Sequence, residues 1–268
     1  MTSDPAVAQS AVEREYEEYK KQGRVWGQVP RERIRKIKYP RVSPEIVQQF
    51  LQMEDLTTTV SDVLDSLGVR GAVAGSFLRP IIPGRKLVGT ATTVRSIPER
   101  KTPTKGYYDK DTIRMSTRET YYLAEPGDVF VADFGGNLDV SNMGGQSCTV
   151  AKSRGIAGAI VNGAVRDVSA IVALDYPVWS RGVTPMTGKF RMEAVELNGP
   201  VTVHDVAVYP GDLVCADDSG VCFIPAEHVD TVLTQAQSVH AEEAHMRTLI
   251  ERNAPVDELL PFYRKRYK

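Results

Sequence analysis

The chain has 268 residues, 42% of them hydrophobic, which suits one large domain or a domain plus an extension, with a core that needs no disulfide framework. A formal net charge of −1 leaves no overall field to draw it to nucleic acid or to a membrane surface. Three widely spaced cysteines without a CxxC pair, no apolar run near the roughly 20 residues of a membrane span, and a start, MTSDPAVAQS, unlike a signal peptide make a cytoplasmic protein the expectation.

Residues 1–45 differ in character from the rest. AVEREYEEYKKQ reads as a charged, solvated helix, with Glu13 and Glu17 at helical offsets from Lys20 and Lys21. The basic segment RERIRKIKYPR follows, closed by Pro40 and Pro44. A surface arm packing on a neighbouring subunit is the expectation; a nucleic-acid contact is the alternative, disfavoured because aromatic residues barely interleave with the charges. The main domain is expected over 46–250, with 251–268 as a C-terminal tail. SPEIVQQFLQM reads as a helix with Ser43 as N-cap and Pro44 at its first position. TTTVSDVLDSLG reads as a second helix, capped by a threonine and stopped by Gly68. KLVGTATTVRSI alternates like a half-buried strand, and DKDTIRMSTRETYYLAE is helical in character.

A weak internal repeat is the most informative feature. EPGDVFVADFGG (125–136) and YPGDLVCADDSG (209–220) share Pro-Gly-Asp, Ala-Asp and a closing glycine at identical offsets. Each reads as tight turn, short buried strand and second turn, which argues for a compact β-rich core rather than a simple doubly wound sheet. Between them TVAKSRGIAGAIVNGAVRD runs helix, glycine stop, apolar strand and loop. AEHVDTVLTQAQSVHAEEAHMRTLIERN closes the domain as a long amphipathic helix. The fold class is mixed α/β, a compact β-rich core flanked by helices.

The strongest chemical candidate is the strand-to-loop segment AIVNGAVRDV, which ends in Arg166 and Asp167. Loops at strand ends commonly carry functional groups. A carboxylate there can ligate Mg²⁺ or Mn²⁺ through oxygen, while a guanidinium forks onto a substrate carboxylate. The alternative is a surface ion pair in which Asp167 caps the helix VSAIVAL. A second candidate is GGNLDVSNMGGQSCT (135–149), where glycines allow close backbone approach and amides at the start of the following helix can hold an anion; an ordinary glycine-rich turn explains it equally well. It is neither a P-loop nor a dinucleotide fingerprint. Asp217 and Asp218 read as turn formers. His204 and Asp205, adjacent in an expected strand, point to opposite faces and read as structural. Cys148 has no identifiable histidine partner and is not expected to be a nucleophile. Tyr107, Tyr108, Arg114 and Arg118 are near enough in sequence to shape a pocket.

These stretches, with TTTVSDVLDSLGVRG, GRKLVGTATTV, AKSRGIAGAIVNGAVRDV and YPGDLVCADDSGVCFIP, resemble the RraA-like family over roughly residues 54 to 250. That family includes 4-hydroxy-4-methyl-2-oxoglutarate / 4-carboxy-4-hydroxy-2-oxoadipate aldolases and regulators of ribonuclease E activity. The resemblance implies a swivelling β/β/α type of fold with an N-terminal helical extension, assembled as a homotrimer or a homohexamer with sites between subunits. It implies that Asp167 binds Mg²⁺ or Mn²⁺ and that Arg166 contacts the pyruvyl end of the substrate. It also implies that backbone amides around Gly144, Gly145, Gln146 and Ser147 receive the carboxylate.

The activity so implied is that of a class II, divalent-metal lyase, an aldolase or decarboxylase acting on a pyruvate-yielding 2-oxo acid through a stabilised enolate. One departure matters. The aldolases carry an acidic residue separated from the Arg-Asp pair by twenty residues, and here that position is Gly145. Asp139, or an acid from a neighbouring subunit, is the candidate substitute. Asn162 stands where many of the aldolases have Asp. The alternatives are another reaction on a sugar-derived acid at the same metal site, or a non-catalytic regulatory binding protein.

Overall fold

In the computed structural model, which describes residues 5–111, 115 and 117–265, short apolar runs between turn residues become the strands of one mixed sheet. The arm begins with α1 (Pro5–Lys21), and α2 (Pro44–Leu51) and α3 (Leu56–Ser66) follow. The strands β1 (Ala72–Ala74), β2 (Arg79–Pro80) and β3 (Leu87–Pro98) precede α4 (Pro103–Tyr108) and α5 (Thr117–Leu123). Next come β4 (Val129–Asp133), β5 (Ser141–Met143), α6 (Gly145–Ser153), β6 (Gly158–Val165), α7 (Val168–Ala173) and β7 (Val178–Val183). The chain continues through β8 (Met192–Leu197), β9 (Val201–Val203), β10 (Val206–Val208), β11 (Leu213–Asp217) and β12 (Gly220–Ile224) to α8 (Val229–Glu251) and α9 (Val256–Lys265).

Strand order is β1-β12-β11-β3-β4-β6-β7-β2, with β8 added to β3 and β5 to β6. β3, β4, β6 and β7 run parallel, whereas β11, β12 and β1 continue from β3 antiparallel. Alternation along each strand divides the core. On β4, Phe130 and Ala132 face α5, α6 and the arm, while Val129 and Val131 join Ile160, Trp179 and the β9–β10 hairpin. A third cluster packs α2, α3 and α8 on Leu213, Cys215, Cys222 and Ile224.

The internal repeat has a physical basis. Gly127 (φ +89°) and Gly211 (φ +105°) take turn conformations that favour glycine. The following aspartates fold back on the same turn: Asp128 accepts from the Glu125 amide (2.9 Å) and Asp212 from the Tyr209 amide (2.8 Å). The two repeat strands, β4 and β11, flank β3 on either side.

Several expectations are corrected. The helix α3 begins before its threonines, with Asp55 at the cap position and no side-chain cap of its own. Asp217 supplies the cap from across the fold, accepting from Thr57 N (3.0 Å) and Thr57 Oγ1 (2.6 Å). β3 is buried on both faces over most of its length, because sheet and helices enclose it, rather than half-buried. Helix in the stretch 109–125 is confined to Thr117–Leu123 among the described residues; 112–114 and 116 lie outside them. His204 and Asp205 occupy the turn between β9 and β10, not a strand, with His204 at φ +59°.

The arm, expected to lie against a neighbouring subunit, packs against its own chain. Tyr19, Ile34 and Ile37 are buried in the main core. Arg24 donates to Tyr122 O (2.9 Å), Ala124 O (2.7 Å) and Glu125 Oε1 (2.8 Å). Arg33 pairs with Glu193 (2.7 Å), Arg35 with Glu196 (2.6 Å) and Arg41 with Asp128 (3.0 Å). Arg33, Arg35 and Arg41 of the basic segment thus find their carboxylates within the same molecule.

Candidate functional site

At the end of β6 the chain turns sharply. Arg166 N donates to Met143 O (2.9 Å), which ties the turn to β5, and Asp167 follows at φ +57°, ψ 45°. Left-handed backbone outside glycine costs about 1–2 kcal/mol, and aspartate is among the residues that tolerate it. Asp167 stands at the N-cap position of α7, where its carbonyl accepts from Ala170 N (2.9 Å) and Ile171 N (3.1 Å). Its carboxylate does not cap that helix. Oδ2 accepts instead from Gly145 N (3.0 Å), the first residue of α6, and lies 3.7 Å from Arg166 Nε. The helix-cap alternative for this side chain is therefore set aside.

The glycine stretch meets this turn directly. A Cβ on Gly144 would sit 2.6 Å from Asp167 Oδ2 and 2.9 Å from Arg166 Cγ, so only glycine fits between them. A Cβ on Gly145 would meet Ala170 Cβ at 2.8 Å. The packing of α6 on α7 thus leaves no room for a side chain where the aldolases carry an acid. The amides of Gln146 and Ser147 belong to the open first turn of α6, where no intrahelical acceptor is available.

A cleft of about 600 Å³ collects Gly144, Gln146, Ser147, Arg166 and Asp167 from the residues singled out in the sequence. Arg118 lines it too and donates to Gln146 Oε1 (3.3 Å). Tyr107 and Tyr108 do not; they project from the end of α4 and are 69% and 75% exposed. Arg114 lies outside the described residues. Asp139, the candidate substitute for the missing acid, is not among the residues that line the cleft. Asn162 is turned elsewhere, donating to Thr202 O (3.0 Å) and Asp133 Oδ1 (3.3 Å). Asp217 caps α3 and Asp218 accepts from Gly84 N (2.9 Å), consistent with turn formers. Burial, reinforced by the Asp167 charge, pushes the Cys148 thiol up to about 12, so it is no thiolate nucleophile at neutral pH.

Other parts of the wall carry no sequence motif. Trp26 and Gln28 come from the arm, Asn142 from β5, and Thr187 and Lys189 from the loop before β8. Among the described residues of the lining, three cations (Arg118, Arg166, Lys189) face one carboxylate, Asp167. This balance favours an anionic ligand. Asn142 is 1% exposed, and both its amide atoms lack a hydrogen-bond partner among the described residues. Nδ2 is able to donate to a ligand group and Oδ1 to accept from one.

A divalent cation has one carboxylate here. No group of three or more His, Cys, Asp or Glu side chains among the described residues is placed to cage an ion. Mg²⁺ commonly keeps several waters and takes only one or two carboxylates plus substrate oxygens. A half-exposed Asp167 beside an anion-binding cleft fits that mode and not a protein-enclosed one.

Comparison with known proteins places the chain among its relatives. The chain is 27% identical over 80% of its length to Protein DlpA of Legionella pneumophila, and the match takes in 33% of DlpA, about a third of that protein. It is 31% identical to a protein of Halalkalibacterium halodurans named "putative 4-hydroxy-4-methyl-2-oxoglutarate aldolase", over 74% of this chain and 85% of that one. Among solved structures, Streptomyces coelicolor RraAS2, described as an unusual member of the RNase ES inhibitor RraA protein family, superposes with a TM-score of 0.67 at 26% identity, covering 78% of this chain and 99% of that one. With the RraA-like (Aldolase/RraA) family model matching residues 57–223, around a sheet of the same fold, the chain belongs to the RraA-like family.

Proposed function

We propose that the protein is a divalent-metal-dependent lyase that cleaves a carbon–carbon bond in a 2-oxo acid and releases pyruvate, by aldol cleavage, decarboxylation or both. The observation that carries this reading is the convergence of Arg166, Asp167 and the open first turn of α6 on one cationic cleft. The name of the Halalkalibacterium relative supports it.

In this reading the carboxylate of the pyruvyl end lies against the Gln146 and Ser147 amides, where the helix N-terminus favours an anion. The Arg166 guanidinium donates to the 2-oxo oxygen. Its hydrogen bonds strengthen as that oxygen gains charge, the behaviour of an oxyanion-hole donor, worth about 3 kcal/mol. Asp167 would hold Mg²⁺ or Mn²⁺, which supplies Lewis-acid stabilisation of the charge left on the pyruvate fragment. Asp167 has a second task, since its bond to Gly145 N fixes the start of α6 relative to Arg166. Asn142 offers a paired donor and acceptor suited to a substrate hydroxyl.

Pyruvate release from oxaloacetate and from 4-hydroxy-2-oxo acids, measured with Mg²⁺ or Mn²⁺ and again with EDTA, tests the proposal. Metal-dependent release supports it, and no release from any of them rejects it. Gly145 favours a second reading, a non-catalytic binding protein, because the acid associated with aldolase activity has no place to stand. Specific ligand binding without turnover would decide for that one.

A further inference from the structure

The residues used above account for a three-carbon acid, yet a cleft of about 600 Å³ is of the size that encloses much larger ligands. Part of the remaining wall is Trp26 and Gln28, which belong to the arm and lie well before residue 57, where the family model begins. Their placement is built rather than incidental. Glu119 on α5 has no exposure and accepts from three successive amides of the arm, Trp26 N (2.7 Å), Gly27 N (3.3 Å) and Gln28 N (3.4 Å). Gly27 takes φ +72°, a left-handed turn that lets the three amides converge. Arg24 anchors the preceding residues to the end of α5, and the Trp26 ring packs on Tyr122 at 5.2 Å between centroids. Neighbouring Arg118 lines the cleft while Glu119 holds the loop, so one helix positions both. Burying a carboxylate is costly unless it is well bonded, and here the bonds go to the segment that walls the cleft.

We infer that the arm is part of the binding site: Trp26 and Gln28 contact the portion of the ligand beyond its pyruvate end and set the length of 2-oxo acid accepted, with Glu119 as their positioning residue. The orientation of the ligand rests on the functional reading above. The ligand class is a 2-oxo acid longer than pyruvate, whose distal part offers an apolar face to the Trp26 ring and a hydrogen-bonding group to the Gln28 amide.

The test is calorimetric titration of the full chain, in Mg²⁺, with oxalate as the short probe and 2-oxoadipate as the long one. Trp26→Ala, Gln28→Ala and Glu119→Gln should each bind 2-oxoadipate at least tenfold more weakly than wild type, while oxalate affinity stays within twofold. Fluorescence adds a second reading: Trp179 is fully buried and donates to Asp217 O, so a change on adding 2-oxoadipate should vanish in Trp26→Phe. Affinities unchanged for both probes, or reduced equally for both, overturn the inference. Arm-dependent binding without pyruvate release would reject the lyase and leave the arm's role standing; turnover with arm-indifferent binding would do the reverse. Failure of wild type to bind either probe rejects both.

Discussion

Replacing Asn142 with leucine should make the protein more stable and a poorer binder. The amide of Asn142 is buried on β5 with neither Nδ2 nor Oδ1 paired among the described residues. An unsatisfied buried polar group costs about 1–3 kcal/mol, so the two atoms together cost on the order of 2–6 kcal/mol. Leucine has a similar volume but a different shape, and misfit in a packed core takes back about 1–3 kcal/mol. The net expectation for Asn142→Leu is a gain of roughly 1–3 kcal/mol, read as a higher urea midpoint at unchanged m-value. Oxalate or 2-oxo acid affinity should fall in the same protein, the pattern expected where stability has been traded for a site. A loss of stability of more than about 1 kcal/mol would refute the reasoning, because it would mean that folding itself satisfies the amide.

Three further outcomes are expected. Arg166→Lys should lower kcat for pyruvate release by about 10²-fold, since an ammonium does not reproduce a planar fork at a developing oxyanion; steady-state kinetics on oxaloacetate check it. Gly144→Ala places a methyl 2.6 Å from Asp167 Oδ2, so both site residues must shift, with a loss of about 10²-fold in kcat/KM by the usual cost of misplacement. Burial pushes the Asp212 carboxyl up to about 6, against the pull of the Tyr209 and Ala226 amides. Raised in the folded state, Asp212 contributes stability that is complete below pH about 4 and lost as pH rises through about 6. The stability of wild type relative to Asp212→Asn should therefore fall by about 2 kcal/mol between pH 4 and pH 7 in urea titrations; a flat or opposite difference contradicts it.

What the sequence made legible is what local chemistry determines. The Pro-Gly-Asp repeat announces its turns because glycine conformations and the folding back of Asp128 and Asp212 act within a few residues. The α6–β6 unit announces itself through the glycine stop at Gly155 (φ +78°) and the apolar run that follows. Arg166, Asp167 and the glycine stretch were legible as a candidate site, though not the reason for the glycines, which is the fit of α6 against α7. The cap of α3 escaped detection because Asp217 reaches it across 160 residues of chain. Lys189 and Asn142 carry no motif, and their place in the cleft follows from packing alone. The arm's anchoring to its own chain was not legible for a related reason. Its charges read as solvated or intermolecular, whereas Arg24, Arg33 and Arg41 reach carboxylates far along the same chain.

The most direct test of the central claim is pyruvate release by Asp167→Asn in saturating Mg²⁺ or Mn²⁺. Asparagine tolerates the left-handed backbone and keeps an oxygen for Gly145 N, so the thermal midpoint should move by only a few degrees. Metal-dependent release should fall by about 10²-fold or more, since the sole carboxylate of the lining among the described residues is gone. Turnover at the wild-type rate in a folded Asp167→Asn protein would contradict the account.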